Sequence, residues 1–84
     1  MNSELIVEHV KKCAEVLRGE FDITTKGVPR IIMTGADMKI SLVYVAKSNV
    51  WKAFYPYPAA EQTRQYFLDF YEMLKFLREM GCTF

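Results

Sequence analysis

The amino-acid sequence predicts a single small α+β domain in which two helices pack on one face of an antiparallel sheet. Both ends of the chain repeat apolar residues at helical spacing, and the middle alternates apolar and polar residues as strands do. Short turn signals separate the strands, which favours antiparallel pairing. The expected order is α-β-β-β-α with a three-stranded sheet, to which residues 21–25 could add a fourth strand. Residues 1–84 make one domain at most.

The first helix is expected over residues 4–18. Ser3 suits the N-cap position, and Gly19 follows the helix as a natural stop. The apolar stripe of this helix comprises Ile6, Val10, Cys13, Ala14 and Leu17.

Three strands are expected over residues 30–34, 38–46 and 50–55. Turns at 35–37 and 47–49 separate them, because glycine, serine, asparagine and aspartate cluster there. The strands are therefore joined as consecutive hairpins.

Alternation along the strands predicts which side chains face the helices. Lys39 and Ser41 are polar, so the residues between them turn inward. The expected inward set is Met38, Ile40, Leu42, Tyr44, Trp51, Ala53 and Tyr55. The opposite, open face would carry Ile32, Val43, Val45 and Phe54 beside Arg30, Lys39, Ser41 and Lys52.

The last helix is expected over residues 61–80, after a Tyr-Pro-Tyr-Pro stretch that ends the third strand. Pro58 suits the first turn of a helix, and Gly81 suits its C-terminal end. At 100° per residue, Leu68 and Phe76 fall on the polar side of this helix, in line with Glu72. Nothing within the predicted fold would bury apolar residues on that outer side of the helix.

This apolar surplus predicts an interface with another protein. Contiguous exposed apolar patches usually mark interaction sites, and aromatic anchors commonly dominate their energetics. The expected interface residues are Leu68, Tyr71 and Phe76 on the last helix, and Val43, Val45 and Phe54 on the open sheet face.

The overall composition narrows the possible partners and compartments. A net charge of +1 argues against a strongly electrostatic partner and leaves little self-repulsion to oppose a homodimer. Two cysteines do not make a disulfide framework, and no apolar run is long enough to span a bilayer. We therefore expect a cytoplasmic protein with reduced thiols and no membrane partner.

Few residues offer chemistry. His9 and Cys13 lie four positions apart and could join Cys82 at a zinc ion, or act as a base and nucleophile. A structural zinc site needs a fourth ligand, and Cys13 lies in the apolar stripe, where a thiol is unreactive. Phosphate-loop, nucleophile-elbow and zinc-protease motifs are also missing from the sequence. We expect no catalytic, metal-binding or cofactor-binding residues, and no enzymatic activity.

Nucleic-acid binding is the alternative hypothesis. Basic side chains beside an exposed aromatic ring on a sheet can bind single strands, and the candidate contacts are Arg30, Lys39, Lys52 and Phe54. The order of elements is similar to that of double-stranded RNA-binding domains. Their lysine-rich start to the last helix is missing, because residues 59–62 read Ala-Ala-Glu-Gln. No family is assigned on this basis.

The sequence thus predicts a non-enzymatic protein-binding module that forms a homodimer. Small, weakly charged domains without a catalytic set often serve as inhibitors or adaptors, including those that mobile genetic elements encode to block host enzymes. The partner is expected to be another protein, and nucleic acid is the alternative.

Overall fold

A computed structural model of the chain describes residues 3–58 and 61–84. Within these ranges the order of elements is α1 (Ser3–Leu17), β1 (Glu20–Ile23), β2 (Pro29–Thr34), β3 (Lys39–Val45), β4 (Val50–Tyr57), β5 (Arg64–Leu68) and α2 (Phe70–Glu79). The strands form one antiparallel sheet in which each pairs with the next along the chain. The small α+β domain is confirmed, but the predicted count of three or four strands is too low. Of the helices described, none is long and apolar enough to cross a membrane.

The core lies between the two helices and one face of the sheet. α1 packs on β1 and β2, and α2 packs on β4 and β5. The alternation predicted for the two central strands is confirmed within β3 and β4. Ile40, Leu42, Trp51 and Ala53 are at most 2% exposed, and Tyr44 and Tyr55 pack half-buried against the core. Met38, also predicted to face inward, lies just before β3 and is half-buried. The core is built from Val10, Leu17, Ile31, Ile40, Leu42, Trp51, Ala53, Met73 and Leu77, with Cys13, Ala14, Met33 and Cys82 around them.

The end of α1 brings the first helix close to the sheet. Arg18 takes a left-handed conformation with φ of 57°, and the N–H of Gly19 donates to the carbonyl oxygen of Ala14 at 2.9 Å. Gly19 is required for space, since a Cβ there would lie 2.5 Å from Cγ2 of Ile31. The helix therefore turns directly into β1, which is the fourth strand that the sequence left open.

β4 continues two residues beyond its expected end. Its pairing with β3 shifts register between Lys39 and Ser41, and Tyr57 lies opposite Lys39. A proline cannot donate to a strand ladder, so it is tolerated at such an irregularity. Pro56 occupies this stretch, and the Tyr55–Pro56 and Tyr57–Pro58 peptide bonds are both cis.

The segment predicted as one long helix is divided into a strand and a shorter helix. Residues 64–68 form β5, which pairs along its whole length with β4, and α2 begins only at Phe70. Pro58 therefore does not open a helix, and the opening predicted at 59–60 lies outside the described residues. The prediction was wrong because the apolar spacing of residues 66–80 also fits a helix. Local propensity does not show whether a segment has a neighbouring strand with which it can pair.

A capping box marks the true start of α2. The Asp69 side chain accepts a hydrogen bond from the Glu72 backbone at 2.8 Å, and the Glu72 side chain accepts one from the Asp69 backbone at 2.9 Å. At the other end Gly81, with φ of 87°, confirms the predicted C-terminal stop. The Asp-x-x-Glu spacing was present in the sequence and could have located this boundary.

Replacing the cap tests the boundary between β5 and α2. Asp69→Ala removes the acceptor for the Glu72 backbone, so we expect the free energy of unfolding in urea to fall by about 1 kcal/mol. If the helix instead ran through Asp69, alanine would raise that free energy by about 0.5 kcal/mol. The control Asp69→Asn keeps an N-cap oxygen and should stay within a few tenths of a kcal/mol of wild type.

Candidate functional site

The helices cover one face of the sheet and leave the other open. We call this second surface the open face. Two rows of side chains run across the strands on this face. The first row consists of Asp22, Arg30, Val43, Lys52 and Phe67. The second row consists of Ile32, Ser41, Phe54 and Gln65. Period-two alternation separates these residues from the core set.

The open face holds a largely apolar groove of about 470 Å³. Its walls come from the central strands and from the proline-containing end of β4. The main lining side chains are Val28, Arg30, Val43, Phe54, Pro56 and Tyr57. Ile32 and Ser41, each 5% exposed, are already buried on this side of the sheet. The surface is therefore a shaped concavity rather than a flat, solvated sheet.

Arg30 is held in place within the groove by three hydrogen bonds. Its Nε donates to Asp22 Oδ1 at 2.6 Å, and one terminal nitrogen donates to Asp22 Oδ2 at 3.0 Å and to the Tyr57 hydroxyl at 3.2 Å. The guanidinium also lies 5.0 Å from the centre of the Tyr57 ring. The hydrogen bond to Asp22 raises the pKa of Arg30 above its already high ordinary value. The cation is thus permanently charged, oriented and locally neutralised by a carboxylate.

A second cation lies against aromatic rings in the neighbouring part of the open face. The Lys52 ammonium is 5.0 Å from the centre of the Phe54 ring and 5.4 Å from that of Phe67. Phe67, which is 62% exposed, brings its ring to this side from the outer strand β5. Lysine and two aromatic rings therefore form one continuous surface, with an amphipathic character suited to macromolecular contact.

The structure places both predicted open-face sets on the same surface. Val43, Val45 and Phe54, the predicted protein contacts, lie on the open face and are partly exposed. The candidate nucleic-acid contacts Arg30, Lys39, Lys52 and Phe54 lie on it too, with Lys39 at its end opposite Tyr57. These two hypotheses therefore compete for one site.

The structure changes the secondary structure of the interface expected on the last helix, but it does not test whether these residues contact a partner. Leu68 belongs to β5, where it pairs with Trp51 and is half-buried. Phe76 packs against Tyr55 and Tyr66, with ring centres 5.5 and 5.8 Å away. Leu68, Glu72 and Phe76 do not follow one helix, because Leu68 lies in β5, but all three line one surface groove. Phe76 is therefore half-buried by these rings, and the contact of Leu68, Tyr71 and Phe76 with another protein stays a prediction.

Tyr71 alone of that set is freely accessible, at 82% exposure on the first turn of α2. It lines a separate cleft of about 350 Å³ with His9, Trp51 and Phe70. The His9 ring packs on Tyr44 with centres 4.6 Å apart. This cleft lies at the helix side of the sheet, away from the open face.

His9 and Cys13 do lie together, with Nε2 and Sγ 3.9 Å apart. Within residues 3–58 and 61–84, no three histidine, cysteine or acidic side chains converge as metal ligands, so Cys82 does not complete a site. Both cysteines are free and buried. Burial raises the pKa of each thiol, which reduces the thiolate fraction available for nucleophilic attack.

Several residues of the open face were not identified from the sequence, and the aromatic residues Tyr57 and Phe67 are the largest of them. Phe67 lies within the span predicted as the last helix, and Tyr57 lies in the Tyr-Pro-Tyr-Pro stretch predicted to end the third strand. The signal for Phe67 is the alternation of Gln65 and Phe67 with Tyr66 and Leu68, which fits a strand as well as a helix. The contact of Tyr57 with Arg30 depends on the register of two distant segments, and no local pattern reveals it.

The burial of the cysteines predicts slow thiol chemistry. At pH 8 we expect Cys13 and Cys82 to react with a disulfide reagent at least about 10-fold more slowly in the native protein than in urea, because their raised pKa values and burial both limit thiolate attack. Ile23→Cys, at a position 53% exposed, provides a fast-reacting control. Native thiols as reactive as that control would contradict the buried placement.

Comparison with known proteins does not assign this chain to a family. No protein-family model, curated protein or solved structure matches it. The functional argument therefore rests on the open face itself, with its apolar groove, its oriented arginine and its lysine between two phenylalanine rings.

Proposed function

We propose that this protein is a non-enzymatic binding module that recognises another protein through the open face of its sheet, as an inhibitor or adaptor. The observation that carries the proposal is the groove of about 470 Å³ lined by Val43, Phe54 and Tyr57. Its volume is in the range of sites that accept ligand groups or partner side chains. Small inhibitors of the kind encoded by mobile genetic elements belong to this functional class.

The charge distribution on the open face favours a protein over a polyanion. Asp22 engages Arg30 through both carboxylate oxygens, so a phosphate would have to displace a preformed ion pair. Removing the carboxylate from its partner would also leave a negative charge facing the incoming phosphate. Among residues 3–58 and 61–84, Arg30 is the cation of this face that forms an ion pair, and Lys39 and Lys52 form none.

The aromatic residues supply anchors of the type that protein interfaces use. Phe54 forms part of the groove, and Phe67 extends the apolar surface toward the outer strand. Buried aromatic side chains commonly contribute most to interface energetics, while surrounding polar residues exclude water. A complementary partner would insert an apolar side chain into the groove and cover Phe67.

The proposal also places the protein in the cytoplasm and assigns it a homodimeric state. Both cysteines are free, which supports a reducing environment such as the cytoplasm. A net charge of +1 offers little electrostatic resistance to a homodimer.

Single-stranded nucleic acid is the second candidate, and one observation favours it. Lys52 lies within 5.4 Å of the centres of two phenylalanine rings, an arrangement in which bases could stack while the ammonium contacts phosphate. With three phosphate contacts from Arg30, Lys39 and Lys52, affinity for a single strand would fall by roughly 20-fold between 50 and 200 mM salt.

A matched pair of charge substitutions tests the protein-binding proposal. Phe54→Lys places a cation in the groove, whereas Val16→Lys adds the same charge on α1 at a position 66% exposed. We expect wild type and Val16→Lys to retain the same specific partner in quantitative co-purification at about 0.5 M salt, and Phe54→Lys to lose it at least about 10-fold, because apolar contacts respond weakly to salt. Circular dichroism checks that each variant is folded.

The outcome that would contradict the proposal is equally specific. Identical partner recovery by all three proteins would remove the groove from recognition. Fluorescence anisotropy with labelled oligo(dT) and oligo(U) tests the second candidate directly. Tight, steeply salt-dependent binding that Lys52→Glu abolishes would replace the protein partner with nucleic acid.

A further inference from the structure

The two outer strands of the sheet differ in how well they resist pairing with another chain. β1 carries Glu20 and Asp22 on one face, so pairing β1 with a second β1 would gather four carboxylates on one surface, of which the two Asp22 groups are bound to Arg30 and the two Glu20 groups repel each other. β5 reads Arg-Gln-Tyr-Phe-Leu, and its first four residues are all exposed. An exposed edge with aromatic residues and a single charge is a ready template for strand addition.

We infer that two copies of this protein associate through their β5 strands, which pair antiparallel and join two five-stranded sheets into one continuous sheet. Antiparallel self-pairing is isologous, since the same surface of each copy meets its counterpart across a two-fold axis. The register that pairs all five residues centres the axis on Tyr66. Arg64 then lies opposite Leu68 of the second copy, and Gln65 lies opposite Phe67.

Charge complementarity supports a second copy as the occupant of this edge. In the centred register, Arg64 of one copy lies opposite Leu68 of the other, which Asp69 follows along the chain, so that a cation and a carboxylate occupy neighbouring positions at each end of the paired strands. One carboxylate oxygen of Asp69 accepts the Glu72 backbone N–H at 2.8 Å, which leaves the other oxygen available to a guanidinium. Opposite charges are therefore adjacent in this pairing, whereas β1 self-pairing brings like charges together.

The side-chain chemistry of β5 also suits self-pairing. Tyr66, which is 39% exposed, would meet its own counterpart at the axis, and aromatic cross-strand pairs stabilise antiparallel ladders. Tyr66 is already positioned on its own sheet, stacked 5.6 Å from Tyr55 with their hydroxyl groups 3.2 Å apart. The ring would therefore lose little conformational freedom on association.

This assembly would widen the proposed recognition surface, a consequence that rests on the proposed function. Residues directly opposed in an antiparallel pair point to the same face of a sheet. The open faces of the two copies would therefore lie on one side, with both Phe67 rings near the axis. A partner with two matching sites, or two linked partners, would gain avidity from the pair.

Light scattering across a concentration series measures the assembly without any target protein. We expect the molar mass of the full chain to rise from 9.8 kDa toward twice that value between about 1 and 500 µM. Tyr66→Lys opposes two ammonium groups at the axis and should stay at the monomer mass, while Ile23→Lys, on the β1 edge, should dimerise as wild type does. A monomeric wild type throughout this range would overturn the inference.

A cysteine cross-link tests the register independently of those variants. Directly opposed Cα atoms in an antiparallel pair lie about 4.5–5.5 Å apart, within the range that a disulfide spans. Under mild oxidation, Tyr66→Cys should form a covalent dimer in high yield, whereas Ile23→Cys should not. The native thiols should not compete, because both are buried with raised pKa values.

These measurements separate the inference from the proposed function. A dimer that persists in Tyr66→Lys, or a Tyr66→Cys protein that does not cross-link, would place self-association elsewhere. If Tyr66→Lys is unfolded by circular dichroism, the cross-link decides the question. Phe54→Lys should lose its protein partner yet remain a dimer, so failure of one conclusion leaves the other intact.

Discussion

The burial of Trp51, Leu42 and Ile40 beneath the two helices is the contact on which the rest of the structure depends. These residues come from adjacent central strands, and their neighbours along each strand must point the other way. Once they are committed to the core, Val43, Lys52 and Phe54 have no place except the open face. The composition of the open face, the surface proposed for recognition, is thus a direct consequence of the way the core is filled.

Two helices cover only one side of the five-stranded sheet, so the side chains of the other side are exposed unless another part of the chain packs on them. The proline-containing end of β4 partly compensates by placing Pro56 and Tyr57 beside the open face. Arg30 then connects this segment to β1 through Tyr57 and Asp22. The groove is therefore held by contacts that join β1, β2 and the end of β4, and these contacts fix its shape and charge.

The outer strands β1 and β5 differ in how their unpaired backbone groups are protected from pairing with another chain. β1 is short, follows α1 directly and carries two carboxylates, which discourage self-pairing. β5 has weaker protection, and its aromatic residues serve both sides of the sheet: Tyr66 packs with Phe76, while Phe67 reaches Lys52. A single strand therefore contributes to the core, to the candidate recognition face and to the edge proposed for dimerisation.

The sequence by itself determined α1, the three central strands, their inward and outward faces and the predicted open-face residues Val43, Lys52 and Phe54. Each depends on local periodicity and turn chemistry, which act within a few residues. Tertiary structure decided that residues 64–68 form the strand β5. Their sequence pattern fits a helix or a strand, and pairing with the outer edge of β4 stabilises the strand. Tertiary structure also decided the Arg30–Asp22–Tyr57 cluster and the packing of Phe76 against Tyr66, because strand register and helix packing bring together side chains that local sequence cannot relate.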